Sequence, residues 1–326
     1  MCALLIAEKS YKVMNAIFHY GSSIEERNCK SIPRESNSWI EIDNAQIEKR
    51  QWPKGNLPNS DFASGINLLY YKCNNETPAT ISYPITEPQS LLNDLDPNKR
   101  IIFYIFGNMQ YPTHENVKLM INALCYGQTD NVVLLDWSRY SNGSDSIVFK
   151  NGEKVGRLFA QSIQLLVNSG ANLSKIYIIG YFLGAHIAGI VGKCNFFEIP
   201  RITGLDPAIP FFYPSGCYLR SNDAAWVDVI HTDMGEYGTL FSTGTADYYV
   251  TDGFRPQPNC SLISIPLSPQ DLCSYQASVK VYADSKYKTA TYDAEKCASY
   301  IQYRLNTILN RCVKIEIGIG YNATNM

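Results

Sequence analysis

The sequence predicts an α/β fold, with a mostly parallel central sheet and helices on both faces. Three observations carry that prediction. Short, almost wholly apolar runs of strand length recur at residues 100–106 (RIIFYIF), 131–137 (NVVLLDW) and 176–179 (IYII), the pattern of strands buried on both faces. Stretches with apolar residues at helical spacing lie between them, and strand–helix–strand alternation reads as a doubly wound parallel sheet. The third observation is residues 175–193, KIYIIGYFLGAHIAGIVGK. An apolar strand run turns between Gly180 and Gly184 and continues as a helix with Gly184, Ala185, Ala188 and Gly189 on one side. So sharp a turn needs small residues two positions either side of its middle, so that strand and helix can close on each other. The middle residue is Phe182.

Composition bounds the function classes. At 326 residues and 45% hydrophobic, the chain can bury a large core, as one large domain or two smaller ones. A net charge of −2, with 18% charged residues, provides neither a basic surface for nucleic acid nor an acidic tail. Ten cysteines are scattered, none as a CxxC pair, which favours disulfides in an oxidising compartment over a zinc site. N-x-[S/T] triplets at Asn75, Asn142, Asn172, Asn259 and Asn322 point the same way, to a secreted protein. No signal peptide is evident. Residues 2–7 are apolar, but they lack a positive flank and run straight into Glu8 and Lys9, too short for a signal core. No stretch reaches transmembrane length. Secretion then requires a leader that this sequence lacks, or another export route; the first is the expectation.

Taken in order, residues 1–60 read as an irregular polar segment punctuated by Pro33, Pro53 and Pro58, with Trp39 and Trp52 as anchors. Residues 61–326 read as a single domain. Residues 64–73 (SGINLLYYKC) form the first firm strand, and 74–98, with four prolines, read as turns. The first central strand, 100–106, leads through a loop at 107–112 to a helix at 114–126 and a second buried strand at 131–137. A long helix follows at 155–168, with Leu158, Ile163, Leu165 and Leu166 at helical spacing. The elbow comes next, in the strand–turn–helix setting of an α/β-hydrolase G-x-S-x-G nucleophile elbow.

Five segments then resemble one family in order and spacing: NVVLLDWS (131–138), IYIIGYFLGAHIAGIVGK (176–193), RITGLDPAIPFF (201–212), WVDVIHTD (226–233), and the cysteine-framed pair Cys260…Cys273 and Cys297…Cys312. Together they resemble the pancreatic-lipase-like lipases, including the insect and vespid phospholipase A1 branch, from about residue 60 to the C-terminus. The resemblance implies an α/β-hydrolase fold of lipase type. Its nucleophile falls on Phe182 and its catalytic acid on Asp206, in GLDPA. Its histidine, in a C-x-H pattern closing the lid loop, falls on Tyr275, because the loop ends Cys273-Ser274-Tyr275. The oxyanion loop, His-Gly-Phe in the family, reads Phe106-Gly107-Asn108 here, with Asn108 at the altered position. Of the triad only Asp206 remains, and without a base to orient it reads as a relic of the fold.

No other residue supplies the missing chemistry. His186, on the elbow helix, and His231, inside DVIHTD, read as packed core histidines; His114 reads as a helix-surface residue, and His19 lies in the unassigned N-terminus. None meets a serine or cysteine in the arrangement a triad requires. Tyr181 adjoins the nucleophile position, but its high intrinsic pKa makes it a poor substitute. Asp228 and Asp233 flank His231 as metal ligands would, yet alternating residues on a short strand ordinarily mark one buried and one solvated face, so no metal is expected. No cofactor is implied.

Two readings of the lid, residues 261–272, stand side by side. Its Leu262, Ile263, Ile265, Leu267 and Leu272 either touch lipid or a partner, or fold inwards over apolar core; Pro266 and Pro269 prevent a long helix. The resemblance pairs Cys260 with Cys273 and Cys297 with Cys312, and a third pair, Cys194–Cys217, brackets the Asp206 segment. The partners of Cys2, Cys29, Cys73 and Cys125 stay open. No β-sandwich domain is expected after this one. The expected function is a secreted, non-catalytic member that binds a lipid, a lipid interface or a protein, or serves as a yolk-type store; the alternative is a working carboxylic ester hydrolase of lipase or phospholipase A1 type.

Overall fold

The computed structural model describes residues 2–6, 60–73, 78–209, 217–287, 292–298, 302–303, 305, 312–318 and 320–322. In chain order its strands are β1 (Cys2–Ile6), β2 (Asn67–Lys72), β3 (Ala79–Pro84), β4 (Arg100–Ile105), β5 (Asp130–Asp136), β6 (Ile176–Tyr181), β7 (Arg201–Leu205), β8 (Trp226–His231), β9 (Ala246–Val250), β10 (Tyr292–Lys296) and β11 (Val313–Ile317). Its α-helices are α1 (Ser60–Ala63), α2 (Glu115–Cys125), α3 (Asp145–Asn168), α4 (Leu183–Cys194) and α5 (Leu272–Tyr287).

The first nine strands form one sheet in the order β1-β9-β8-β7-β6-β4-β5-β2-β3, and β10 pairs with β11 separately. From β1 to β5 along that order every neighbour is parallel; β2 and β3 run antiparallel. The apolar runs sit where burial is needed on both faces. Every residue of β6 is buried, as is all of β4 but Arg100 and all of β5 but Asp136. Moving from β4 through α2 to β5, then from β5 through α3 back past β4 to β6, reverses direction across the sheet. Right-handed crossovers then put α2 on one face and α3 with α4 on the other. Accordingly α3 packs on α4, and α2 on α5. This is the doubly wound α/β-hydrolase architecture. No described helix is long and apolar enough to cross a membrane.

Several sequence expectations need correction. The long helix begins at Asp145, ten residues before the expected start, despite Gly152 and Gly156. Gly156 is needed there: a Cβ on it would lie 2.8 Å from Ile190 Cβ, so the glycine lets α3 and α4 close. The turn-rich stretch holds a strand, β3, whose mostly exposed or half-buried residues gave no apolar signal. Residues 2–6 pair in parallel with β9 as an edge strand. Trp39, Trp52, His19 and nearly all of the 1–60 segment lie outside the described residues.

The cysteines follow expectation in two pairs and depart from it in a third. Cys260–Cys273 and Cys297–Cys312 are bonded. Cys73–Cys125, left open by the sequence, ties the end of β2 to the end of α2. Cys194 does not pair with Cys217. The two share a small apolar cluster with Ile190, but Cys194 keeps a free thiol and Cys217 is bonded to another cysteine.

Candidate active site

The elbow forms as its glycines require. Phe182, between β6 and α4, has φ 54° and ψ −112°, a left-handed conformation that costs a non-glycine residue on the order of 1–3 kcal/mol. Its N–H donates to the Leu205 carbonyl at 2.9 Å, and its carbonyl accepts from Ala185 N–H at 3.1 Å. A Cβ on Gly180 would lie 2.3 Å from the Gly184 carbonyl oxygen, and one on Gly184 2.1 Å from the Ile105 carbonyl oxygen. Neither position admits any other residue.

Phe182 and Tyr275 fill the space above the elbow. The phenyl ring is 8% exposed and the Tyr275 ring 6%, and they meet edge to face with centroids 4.8 Å apart. Tyr181 stacks at a tilt on the same tyrosine at 4.8 Å and donates its hydroxyl to the Tyr275 carbonyl at 3.5 Å; Tyr237 stands 5.7 Å from it on the outer side. Gly107, on the loop after β4, closes the cluster: a Cβ there would come 3.1 Å from Phe182 Cβ and 3.2 Å from the Tyr275 hydroxyl. The Gly107 N–H donates within its own loop, to Gln110 Oε1 at 3.3 Å. Asn108 is half-buried. Burial, with smaller effects of the nearby Asp206 and Asp233 charges, pushes the Tyr275 hydroxyl far above its usual range, so it is no base near neutral pH. Burial does the same to Tyr181.

Asp206 follows β7 directly and is fully buried, with φ 42°. Its N–H donates to the Ile230 carbonyl at 2.7 Å. Oδ1 accepts the Thr232 and Asp233 N–H groups at 2.9 and 3.1 Å, whereas Oδ2 is buried without a hydrogen-bond partner. A triad acid holds its histidine through such an oxygen. Burial, and then the charge of Asp233, raises the carboxyl well above the usual range, and the two backbone N–H groups only partly oppose them. Both effects shift the group towards its neutral form.

The loop between Cys260 and Cys273 is tied to this floor by a polar clamp that sequence reasoning missed. Arg255 forks onto both Asp233 oxygens at 2.7 Å each and reaches Asp271 Oδ1 at 2.7 Å. Asp271 also accepts from the Tyr237 hydroxyl at 2.6 Å, Ser264 Oγ at 2.9 Å and Leu267 N–H at 3.0 Å. These bonds together hold its carboxyl well below the usual range. With the base pinned, the apolar residues point outward: Leu262, Ile263, Ile265 and Leu267 are 78%, 86%, 78% and 60% exposed. Leu272 alone is half-buried. The inward-folded reading of the lid does not hold.

The histidines and remaining acids have other partners. His186 is fully buried; its Nδ1 accepts from Leu219 N–H at 3.1 Å, so Nε2–H donates to the Ala208 carbonyl at 2.8 Å. Burial lowers its pKa to about 4, which keeps it neutral. His231 stacks on Tyr249 and bonds Asp247, not its sequence neighbours, at 2.8 Å. His114 is the N-cap of α2, its Nδ1 accepting from Asn116 N–H at 3.2 Å. Asp228 pairs with Arg201 and Thr203, and Asp233 with Arg255, so both carboxylates serve ion pairs. Glu295 lies near Cys297 and Cys312, but both sulfurs are spent in their disulfide.

Comparison with known proteins gives a consistent picture. The family model described as Lipase matches residues 37–326. Lipase member H of Oryctolagus cuniculus is 33% identical over 255 residues, 75% of this chain and 54% of that protein. Phospholipase A1 member A of Rattus norvegicus is 33% identical over 186 residues, 56% of this chain and 41% of its own length. The chain thus spans about half the length of the curated relatives it matches. Among solved structures, MGS-M1, an alpha/beta hydrolase from a Medee basin deep-sea metagenome library, aligns with a TM-score of 0.32 at 14% identity, over 57% of this chain and 81% of its own.

Proposed function

This chain is a member of the lipase family, and from that premise we propose that it is a non-hydrolytic one, secreted, which seats on lipid surfaces through its disulfide-closed lid. One observation carries the loss of hydrolysis. The position of an attacking oxygen holds the Phe182 ring, buried edge to face against the tyrosine that stands where the base would be. A phenyl ring cannot attack a carbonyl, and Tyr275 keeps its proton at neutral pH. The unpartnered Asp206 Oδ2 is consistent with an acid that has no base to orient.

The lid supports the binding half of the proposal. Four aliphatic side chains stand outward on one short loop, where a soluble monomer ordinarily avoids clustering apolar surface. Transfer of each into hydrocarbon contributes roughly 1.5–3 kcal/mol at full burial. The disulfides support secretion, as do the exposed sequon residues Asn142, Asn172 and Asn259.

The test is a serine-hydrolase probe with monoacyl, diacyl and triacyl ester substrates on the purified chain, beside a Phe182→Ser, Tyr275→His double variant. No labelling and no turnover above blank are expected from the natural chain, since removal of a triad nucleophile costs a factor on the order of a million. Hydrolysis that scales with protein and survives repurification would establish the alternative, a working ester hydrolase.

A further inference from the structure

A cavity of about 290 Å³ lies beside α5, on the flank turned away from the elbow. The helix shows two working faces. Tyr275, Val279 and Tyr282 are buried towards the core. Cys273, Gln276, Ala277, Lys280, Val281 and Asp284 line the cavity, a single stripe at helical spacing. Leu119 of α2, Val250, Pro258, Pro269 and Tyr292 supply the apolar wall opposite, and the Cys260–Cys273 disulfide forms part of it. Neither Phe182 nor Tyr275 lines it, so this is not the space above the elbow.

Its polar lining is Asn116, Asn259, Gln276, Lys280 and Asp284. The Asn116 Nδ2 is itself buried out of reach of solvent, so the charged pair is what an occupant's head meets. Lys280 and Asp284 line the cavity four residues apart on the helix, and their Cβ atoms are therefore about 5–6 Å apart. Among the described residues neither is joined in an ion pair.

We propose that this cavity binds a single-chain zwitterionic amphiphile: one acyl chain on a head carrying an anionic and a cationic group, as in a monoacyl phosphocholine. The chain lies along Leu119, Val250, Ala277 and Val281. Lys280 faces the phosphate, and Asp284 faces the quaternary ammonium. Size and charge both select this class. The volume is at the small end of the roughly 300–1,000 Å³ of small-molecule pockets, room for one chain and not two. A lone carboxylate would meet Asp284 as a like charge, and a lone cation would meet Lys280. Because the lid disulfide forms part of the wall, an occupant there touches the base of the loop that carries the exposed leucines and isoleucines.

The experiment is calorimetric titration of the full disulfide-intact chain with decanoyl lysophosphatidylcholine below its micellar concentration, beside decanoate and glycerophosphocholine. Saturable one-to-one binding is expected for the first, with the other two weaker by at least about tenfold, the equivalent of 1.4 kcal/mol. Ala277→Phe, which fills the trough, abolishes binding. Lys280→Glu, on an exposed side chain that folding does not need, weakens it by about tenfold or more. The proposal is overturned by absence of binding, by decanoate binding as well as the phosphocholine, or by full affinity in Lys280→Glu. Circular dichroism and melting accompany Ala277→Phe; a folded variant that still binds also overturns it.

Discussion

Replacing Phe182 by alanine and by glycine separates two forces that coincide at this residue. The ring is nearly fully buried and packs edge to face on Tyr275, so Phe182→Ala removes a core aromatic and is expected to destabilise by about 3–4 kcal/mol. Glycine in place of alanine ordinarily costs about 1 kcal/mol in chain entropy, plus about 0.8 kcal/mol for one more buried carbon. Here φ is 54°, and release from that conformation returns about 1–3 kcal/mol. The net therefore runs from Phe182→Gly about 0.8 kcal/mol less stable than Phe182→Ala to about 1.2 kcal/mol more stable, against about 1.8 kcal/mol less stable without strain. Guanidinium unfolding of the disulfide-intact variants, with a common denaturant slope, measures the difference. Phe182→Gly falling about 1.5 kcal/mol or more below Phe182→Ala would show that the elbow stores no strain and would refute the reasoning.

Asp206→Asn tests the buried carboxyl. Its folded pKa is raised by burial first and by Asp233 second, so the folded state holds a proton that the unfolded chain releases near pH 4. Stability is then fully present below that pH and declines as pH rises towards the folded value. The asparagine variant should gain on the natural chain as pH rises above about 4, read from urea midpoints; a difference that stays constant with pH counts against a raised Asp206. The lid variant Leu262→Ser, Ile263→Ser, Ile265→Ser should lose flotation with phosphatidylcholine vesicles while its unfolding midpoint stays within about 0.5 kcal/mol, as expected for exposed sites; undiminished flotation would disprove docking through the lid. Arg255→Gln leaves Asp233 buried without its cation and should destabilise by about 3 kcal/mol, with faster proteolysis in residues 261–271; a neutral result would mean that the clamp does not hold the loop.

Legibility in the sequence followed the range of the forces involved. The central strands could be read because burial on both faces writes an unbroken apolar run, and the elbow because its glycines are adjacent in sequence. Elements shaped by distant partners were not legible. Gly156, inside the expected helix, had no visible role until Ile190 lay against it, and β3, exposed along most of its length, left no alternation to find. The clamp of Asp233, Arg255, Asp271 and Tyr237 joins residues spread over 233–271; the only local hint was Asp233, which read as one of two faces of a short strand. Cys194 and Cys217 misled because proximity around a functional segment is not the same as bonding geometry.

Gly180 and Gly184 are constrained by backbone: what a methyl group would strike at each is a carbonyl oxygen or an amide nitrogen fixed in the sheet or helix. The side chain at 182 faces other side chains instead, and those can change with it. The frame of the motif is thus intolerant to drift while its centre is free. Loss of either glycine is expected to disrupt the strand–helix junction, whereas a change at 182 can be met by its side-chain neighbours. Here the glycine frame records a packing requirement, and the frame by itself assigns no chemistry.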